Sequence, residues 1–122
     1  MWNAPTKEQL SLIPTLYASE HIPAEEKIIH AHFFLGSNDW FIAECDEAGE
    51  ICFGFAILNG DYRNAEWGYV SLSELKAVSI QGIEVDFDLY WTPAPANQIR
   101  TICKAHGWPI NQPGRLMANM TA

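Results

Sequence analysis

The sequence predicts an α+β protein with an antiparallel meander sheet of about five strands, a short N-terminal helix and a C-terminal helix. Two observations predict this class. Several segments are rich in β-branched and aromatic residues, and within each of them apolar and polar residues alternate at a period of two. Short turn sequences separate these segments. Strands joined by short turns are antiparallel, because a parallel pair needs a long crossover connection. Helix signals flank the strands, so we expect helices on one face or end of the sheet.

The N-terminal helix is predicted over residues 7–13. Thr6 and Gln9 have the spacing of a capping box, in which each side chain accepts a hydrogen bond from the backbone of the other. Pro14 ends the helix, because proline cannot continue it.

Five strands are predicted, at residues 27–34, 40–44, 50–58, 65–70 and 83–91. Turn clusters that contain Gly36, Gly49 and Gly60 separate the first four strands and favour hairpin connections. Ser71 has the position of a helix cap, which predicts a short helix or turn over residues 71–75.

The C-terminal helix is predicted from Pro93 to His106. Thr92 and Pro93 form an entry signal, because a hydroxyl caps the helix and proline fits its first position. Gly107 ends the helix. We expect one domain spanning residues 1–122, with residues 109–122 loosely ordered.

The composition limits the classes of function. The 122-residue chain is 48% apolar and has a formal net charge of −8. Direct binding to nucleic acid or to an anionic membrane is therefore disfavoured, and a protein with a basic surface is the expected partner. The sequence has no apolar stretch of about 18 residues and no secretory signal, which predicts a cytoplasmic protein.

The three cysteines, Cys45, Cys52 and Cys103, are an odd number. Without an export signal we expect free thiols in a reducing compartment. A disulfide between Cys45 and Cys52 across a hairpin stays open as the alternative. No flanking motif marks a nucleophile, so the sequence predicts no catalytic residue and no cofactor.

Four segments carry a family resemblance: residues 16–20 (LYASE), the pair 39–40 and 52–55 (DW and CFGF), 66–75 (EWGYVSLSEL) and 83–90 (IEVDFDLY). They are similar to segments of a family of short bacterial proteins of unknown function, often carried on plasmids and other mobile elements. The resemblance covers residues 10–99. It implies an accessory role on a mobile element and supplies no reaction. In that family a basic residue usually stands between the two acids of the last segment, where this sequence has Phe87.

The predicted strand at residues 83–91 places alternate side chains on opposite faces of the sheet. Its core-facing residues are Ile83, Val85, Phe87, Leu89 and Trp91, and its outward residues are Glu84, Asp86, Asp88 and Tyr90. With Glu44 and Glu66 from neighbouring strands, the outward acids form a predicted acidic binding stripe. No Lys or Arg occurs in residues 77–99. A solvated sheet face with ion pairs, an imitation of the DNA phosphate ladder and a divalent-cation site all stay open.

His30 and His32 lie on one face of the first predicted strand. A His-x-His pair presents two imidazoles to one metal ion, and Glu44 or Asp86 is a candidate third ligand. The alternative is that both histidines are half-buried or lie at the surface.

Trp67, Tyr69 and Tyr90 are the candidate aromatic patch for protein binding, since aromatic residues dominate interface hot spots. Core packing on a two-sided sheet is the alternative. Gly68, between two of them, is expected to mark a bulge or the close approach of another backbone.

These observations favour a non-catalytic acidic protein-binding module from a mobile element, which modulates or inhibits a DNA-handling protein. Two alternatives stay open. One is a small homodimeric structural module in which Trp67 and Tyr69 are buried across a two-fold axis. The other is a carboxylate/His metal-dependent enzyme of unknown reaction.

Overall fold

The computed structural model describes residues 3–111. Its helices are α1 (Lys7–Ser11), α2 (Leu72–Ala77) and α3 (Arg100–His106). Its strands are β1 (Ile28–Ile29), β2 (Ala31–Leu35), β3 (Asn38–Cys45), β4 (Ile51–Ile57), β5 (Glu66–Ser71), β6 (Ser79–Ile80), β7 (Ile83–Glu84), β8 (Asp86–Phe87) and β9 (Ala94–Pro95). Short 3-10 turns span Ala24–Glu26, Tyr62–Asn64 and Ala96–Gln98. The expectation of loose order at residues 109–122 falls largely on residues 112–122, which lie outside the described part.

The predicted α+β class with a five-stranded antiparallel sheet is confirmed. The strand order is β5-β4-β3-β2-β8, so four strands form a meander and the fifth returns to lie beside the first strand of that meander. β1 and β9 form a separate two-stranded pair, as do β6 and β7. No helix within residues 3–111 has the length and apolar character needed to cross a membrane.

Both faces of the sheet are covered. On one face, Phe33 and Ile42 pack with Leu72 and Leu75 of α2, and Leu10 of α1 lies against them. On the other face, residues of β3 and β4 pack against Ile102 of α3 and its preceding turn. The two apolar clusters explain why β3 is buried along most of its length.

The capping residues predicted from the sequence cap the helices in the structure. Thr6 accepts a hydrogen bond from Gln9 N at 3.1 Å, and the Gln9 side chain accepts one from Thr6 N at 2.7 Å. The Ser71 side chain accepts a bond from Glu74 N and caps α2. Gly107 ends α3 in the left-handed conformation.

The prediction of a single strand over residues 83–91 is wrong. A turn at Gln81-Gly82 pairs Ile83 with Ile80, and only Asp86 and Phe87 join the main sheet. The chain then turns, because Asp88 accepts a hydrogen bond from Tyr90 N. Of the five predicted core-facing residues, Val85 and Phe87 are buried, Trp91 is half-buried, and Ile83 and Leu89 are exposed.

The predicted start of the C-terminal helix at Pro93 is also wrong. Ala94 and Pro95 pair instead with Ile29 and Ile28, which extends the chain as β9. The helix begins only at Arg100. The pairing of Ala94 and Pro95 with β1 therefore outweighs the helix-start signal that Thr92 and Pro93 give in the sequence.

Cys45 and Cys52 form a disulfide, so the expectation of free thiols is wrong for this pair. The two residues are directly opposed on β3 and β4, with Cα atoms 3.9 Å apart. Neighbouring Asp46 N donates to Ile51 O, so the cysteines occupy a non-hydrogen-bonded pair, in which side chains lie closest. Cys103 is a buried free thiol.

Candidate functional site

Residues 83–91, predicted as a strand with outward acids, are called the acidic segment here. Its most exposed apolar side chains lie in the turn after β8. Tyr90 is 93% exposed and Leu89 is 59% exposed, while Phe87 beside them is buried. Asp86 is exposed and Asp88 is half-buried. We refer to Asp86, Asp88, Leu89 and Tyr90 as the acidic tip.

His32 holds the acidic tip to the sheet. Its Nε2 lies 2.7 Å from Asp39 Oδ1 and its Nδ1 lies 3.1 Å from Asp88 Oδ2. His32 therefore presents both of its ring nitrogens to carboxylates, one from β3 and one from the turn after β8. Three elements meet here, since His32 lies on β2, Asp39 on β3, and Asp88 follows β8.

Aromatic rings fix the His32 ring in place. The centroid of Phe41 lies 4.7 Å from that of His32 with the planes nearly parallel, and Trp91 lies 5.1 Å away. Trp91 Nε1 donates to Ile29 O at 2.9 Å, which ties the end of the turn to β1. The turn is therefore held at both ends, by Asp88 and by Trp91.

Asp88 organises the tip through its own backbone and side chain. Its N–H donates to His32 O at 2.9 Å, and its Oδ1 accepts from Tyr90 N at 3.0 Å. These bonds use both carboxylate oxygens, one on His32 and one on Tyr90. The result is a hydrogen-bonded turn that projects Leu89 and Tyr90 into solvent.

A cleft of about 220 Å³ lies at the acidic tip. Phe34 and Phe87 contribute its aromatic lining, and Asp86 and Asp88 contribute carboxylates. The Asp86 side chain takes no part in the hydrogen bonds found among residues 3–111. A carboxylate beside an aromatic ring is a chemical match for a Lys or Arg side chain, which gains both an ion pair and a cation–π contact.

Glu44, predicted as part of the acidic stripe, is 3% exposed. A register shift between Ile42 and Glu44 marks a bulge at Ala43, which places Glu44 opposite Phe53. Its carboxylate accepts from Tyr17 N at 2.8 Å and from Ser19 N at 2.9 Å.

Ser19 and Lys27 complete this buried polar cluster. The Ser19 hydroxyl also donates to Glu44, and Lys27 Nζ donates to the Ser19 carbonyl. Burial by itself raises the pKa of Glu44, but the Ser19 hydroxyl, the two backbone N–H groups and the Lys27 charge outweigh it and lower that pKa. Glu44 is thus an ionised group that fastens the loop of residues 15–20 to the sheet.

A family model described as "Protein of unknown function (DUF2958)" matches residues 8–101. The chain belongs to the DUF2958 family. The matched residues include the whole five-stranded sheet, the acidic tip and the Glu44 cluster. The family description assigns no activity, and comparisons with curated proteins and with solved structures give no match.

The remaining acids of the predicted stripe are spread over this DUF2958 fold. Glu66 begins β5, at the opposite edge of the sheet from β8. Glu84 ends β7 and is half-buried. With Glu44 buried, the five acids therefore lie in separate places, and only Asp86 and Asp88 share the tip.

The predicted aromatic patch is divided in the same way. Tyr69 is 59% exposed on β5, and its hydroxyl lies 3.4 Å from that of Tyr17. Trp67 is half-buried, and its Nε1 donates to His106 Nε2 at 3.2 Å. Tyr90 stands at the other edge of the DUF2958 sheet.

Both histidines of the candidate pair are half-buried, as the alternative to a metal site expected. His32 contacts Asp39 and Asp88, while the candidate third ligand Glu44 is held by Tyr17 and Ser19. His30 lies between β1 and β2, where burial lowers its pKa. Within the part of the chain that the structure describes, no three His, Cys, Asp or Glu side chains converge as a metal ion requires.

Sequence reasoning missed Asp39, Ser19 and Lys27 as partners. A signal for Asp39 exists, because the tight turn after Leu35 pairs Phe34 with Asp39 and so places Asp39 diagonally across from His32 on one face. No comparable signal exists for Ser19 and Lys27. They reach Glu44 only because of the bulge at Ala43.

Proposed function

We propose that this DUF2958 protein is a non-catalytic binding module whose acidic tip accepts a basic side chain from a partner protein. The observation that supports the proposal most strongly is the cleft that Asp86, Phe34 and Phe87 line beside the exposed Tyr90. A Lys or Arg side chain from the partner would lie in this cleft, and Tyr90 and Leu89 would pack on the surface around it.

The charge of the chain favours a basic partner. The net charge is −8, and residues 77–99 contain no Lys or Arg that would neutralise the tip from its own segment. Opposite charges on two proteins steer their encounter, and the attraction weakens as salt screens it. DNA-handling proteins carry clustered basic residues, and we propose this class as the partner, with modulation or inhibition of that partner as the outcome.

The hydrogen bonds that hold the tip in place favour binding. The turn is fixed by His32, Asp88 and Trp91 before any partner arrives. A preformed surface loses less conformational entropy on association than a flexible one. The mobile-element context that the family resemblance implies, and a cytoplasmic location, fit such an accessory module and form part of this proposal.

Charge reversal at one position tests the proposal. Asp86→Lys removes the exposed carboxylate of the cleft, and Glu47→Lys makes the same change of charge at an exposed residue after β3. Each variant and the wild type are used to capture partners from a lysate of the producing cells at low and at high salt, and the bound proteins are identified by mass spectrometry.

We expect the wild type and Glu47→Lys to retain the same basic protein at low salt and to release it at high salt. Asp86→Lys should lose it at both. Equal capture by all three proteins, or the absence of any protein that distinguishes them, would contradict the proposal.

A further inference from the structure

The two edges of the main sheet differ. At the β8 edge, Asn3 pairs with Asp86 in a parallel bridge, and its side chain donates to Phe87 O at 3.0 Å. At the β5 edge, the six residues Glu66–Ser71 pair with β4, and no other strand within residues 3–111 pairs with them. An unpaired strand of this length is a template for strand addition.

The register of β5 shows which backbone groups face outward. Leu72 N donates to Glu50 O at 2.8 Å, so this pair is hydrogen-bonded across the two strands. Hydrogen-bonded and non-hydrogen-bonded pairs alternate in an antiparallel ladder. The N–H and C=O groups of Gly68 and Val70 therefore point to β4, and those of Trp67 and Tyr69 point away from the sheet.

The two faces beside this edge suit different side chains. On one face, Phe53 lies 6.0 Å from Trp67 and 5.5 Å from Tyr69, measured between ring centroids, and forms an aromatic wall with them. On the other face, Gly68 is opposite Gly54, and a Cβ atom at Gly68 would meet nothing within 4 Å. This gap has room for the stem of a long side chain on an added strand.

Acidic groups flank the same edge. Glu66 is exposed at the start of β5. Glu50 lies at its end, where the Ser71 hydroxyl donates to its carboxylate at 2.6 Å. A second copy of this chain would bring the same carboxylates and a further charge of −8 to the edge, whereas a basic segment would neutralise them.

We propose that an extended basic segment of another protein adds to β5 as a sixth strand of the sheet. Its apolar side chains lie on the wall of Trp67, Tyr69 and Phe53, and its Lys or Arg side chains lie over Gly68 toward Glu66. The outward N–H and C=O groups of Trp67 and Tyr69 bond its backbone. This site is at the opposite edge from the acidic tip and does not depend on it.

A synthetic peptide of about eight residues alternating Lys and Val, long enough to cover β5, tests the proposal. It is titrated into the Asp86→Lys variant, so that the acidic tip does not contribute, and amide hydrogen exchange is followed by NMR. We expect saturable binding that slows exchange at the amides of Trp67 and Tyr69 by about tenfold or more, because each gains a hydrogen bond. The amides of Gly68 and Val70, already bonded to β4, should change little.

Substitution at Tyr69 supplies a second test. Tyr69→Ala removes the ring and keeps the N–H, whereas Tyr69→Pro also removes the outward N–H without breaking the β4 ladder. We expect the proline variant to bind the peptide about tenfold more weakly than the alanine variant. A matched peptide alternating Glu and Val should not bind.

Three results would overturn the proposal. The first is the absence of binding, or binding without protection of the Trp67 and Tyr69 amides. The second is equal binding of the basic and acidic peptides. The third is protection of these amides in the free protein that grows with its concentration, since that would assign the edge to a second copy of the chain.

Discussion

Glu44→Gln separates the structural role of the buried carboxylate from a role in partner binding. The change keeps the size of the side chain and removes its charge. In the wild type the carboxylate accepts from Tyr17 N, Ser19 N and the Ser19 hydroxyl. The glutamine amide keeps one acceptor oxygen and places an NH₂ group against one of these donors, so at least one hydrogen bond is lost.

The size of the expected loss in stability follows from the hydrogen bonds that the Glu44 carboxylate accepts. A hydrogen bond to a charged group contributes about 1.5–3 kcal/mol, and one such bond is lost. Lys27 bonds Ser19 and acts on the carboxylate through its charge alone, the weakest of the effects that lower the pKa of Glu44, so it adds little to this loss. We therefore expect the free energy of unfolding to fall by about 1.5–3 kcal/mol at pH 7.

The pH dependence has a definite sign. The folded state holds the pKa of Glu44 below its ordinary value of 4.5, so the carboxylate stabilises the fold at pH values above 4.5. That contribution is lost as the pH falls through the lowered pKa. The difference in stability between the wild type and Glu44→Gln should shrink over the same range.

Urea unfolding followed by tryptophan fluorescence measures both effects. Glu47→Gln, at an exposed residue nearby, is the control and should change stability by less than about 0.5 kcal/mol. A loss below about 1 kcal/mol for Glu44→Gln, or a loss that does not change with pH, would refute the buried-carboxylate account.

Three further changes test the fold. The Cys45→Ala/Cys52→Ala double variant should lose about 2.5 kcal/mol in urea unfolding, because the disulfide closes a loop with a sequence separation of 7; a wild-type midpoint unchanged by reductant would contradict this. Gly54→Ala should lower the free energy of unfolding by about 3 kcal/mol or more, since its Cβ would lie 1.9 Å from Phe41 O, while Gly68→Ala should raise it by about 0.5 kcal/mol. If the two substitutions shifted the urea unfolding curve equally, the close packing described at Gly54 would be refuted. His32→Ala should lose about 2–3 kcal/mol and speed amide exchange at Tyr90, whereas His21→Ala should not; unchanged exchange at Tyr90 would mean that His32 does not hold the tip.

The meander was predictable because its signals are local. Apolar and polar residues alternate along β2 to β5, and turns that contain glycine separate these strands. The capping residues Thr6 and Ser71 mark the starts of α1 and α2 in the sequence. The pairing of the fifth strand with β2 was not predictable, because edge order depends on contacts between residues far apart in sequence.

The acidic segment shows where periodicity misleads. Alternation continues through residue 91, but the strand ends earlier because Asp88 bonds His32 and Tyr90 N. A hydrophobic pattern gives the side on which a residue would lie in a strand. It does not give the point at which hydrogen bonding to a neighbour stops.

Glu44 and the glycines show the effect of one bulge. The extra residue at Ala43 moves Glu44 onto the face of Phe53, where Tyr17 and Ser19 bond it. The close backbone approach expected at Gly68 occurs instead at Gly54, across from that bulge. Sequence gives no sign of a bulge here, so both assignments needed the structure.

Site-specific photo-crosslinking at the acidic tip tests the central claim most directly. The photoreactive residue p-benzoylphenylalanine replaces Tyr90 in the full chain, and in a matched protein it replaces Leu58, an exposed apolar residue that follows β4, with β3 and β2 between that strand and β8. We predict that position 90 crosslinks in cells to a basic protein and that Asp86→Lys in the same chain abolishes this crosslink, while position 58 gives none. The same crosslinks from both positions, or a crosslink at position 90 that survives Asp86→Lys, would contradict binding at the acidic tip.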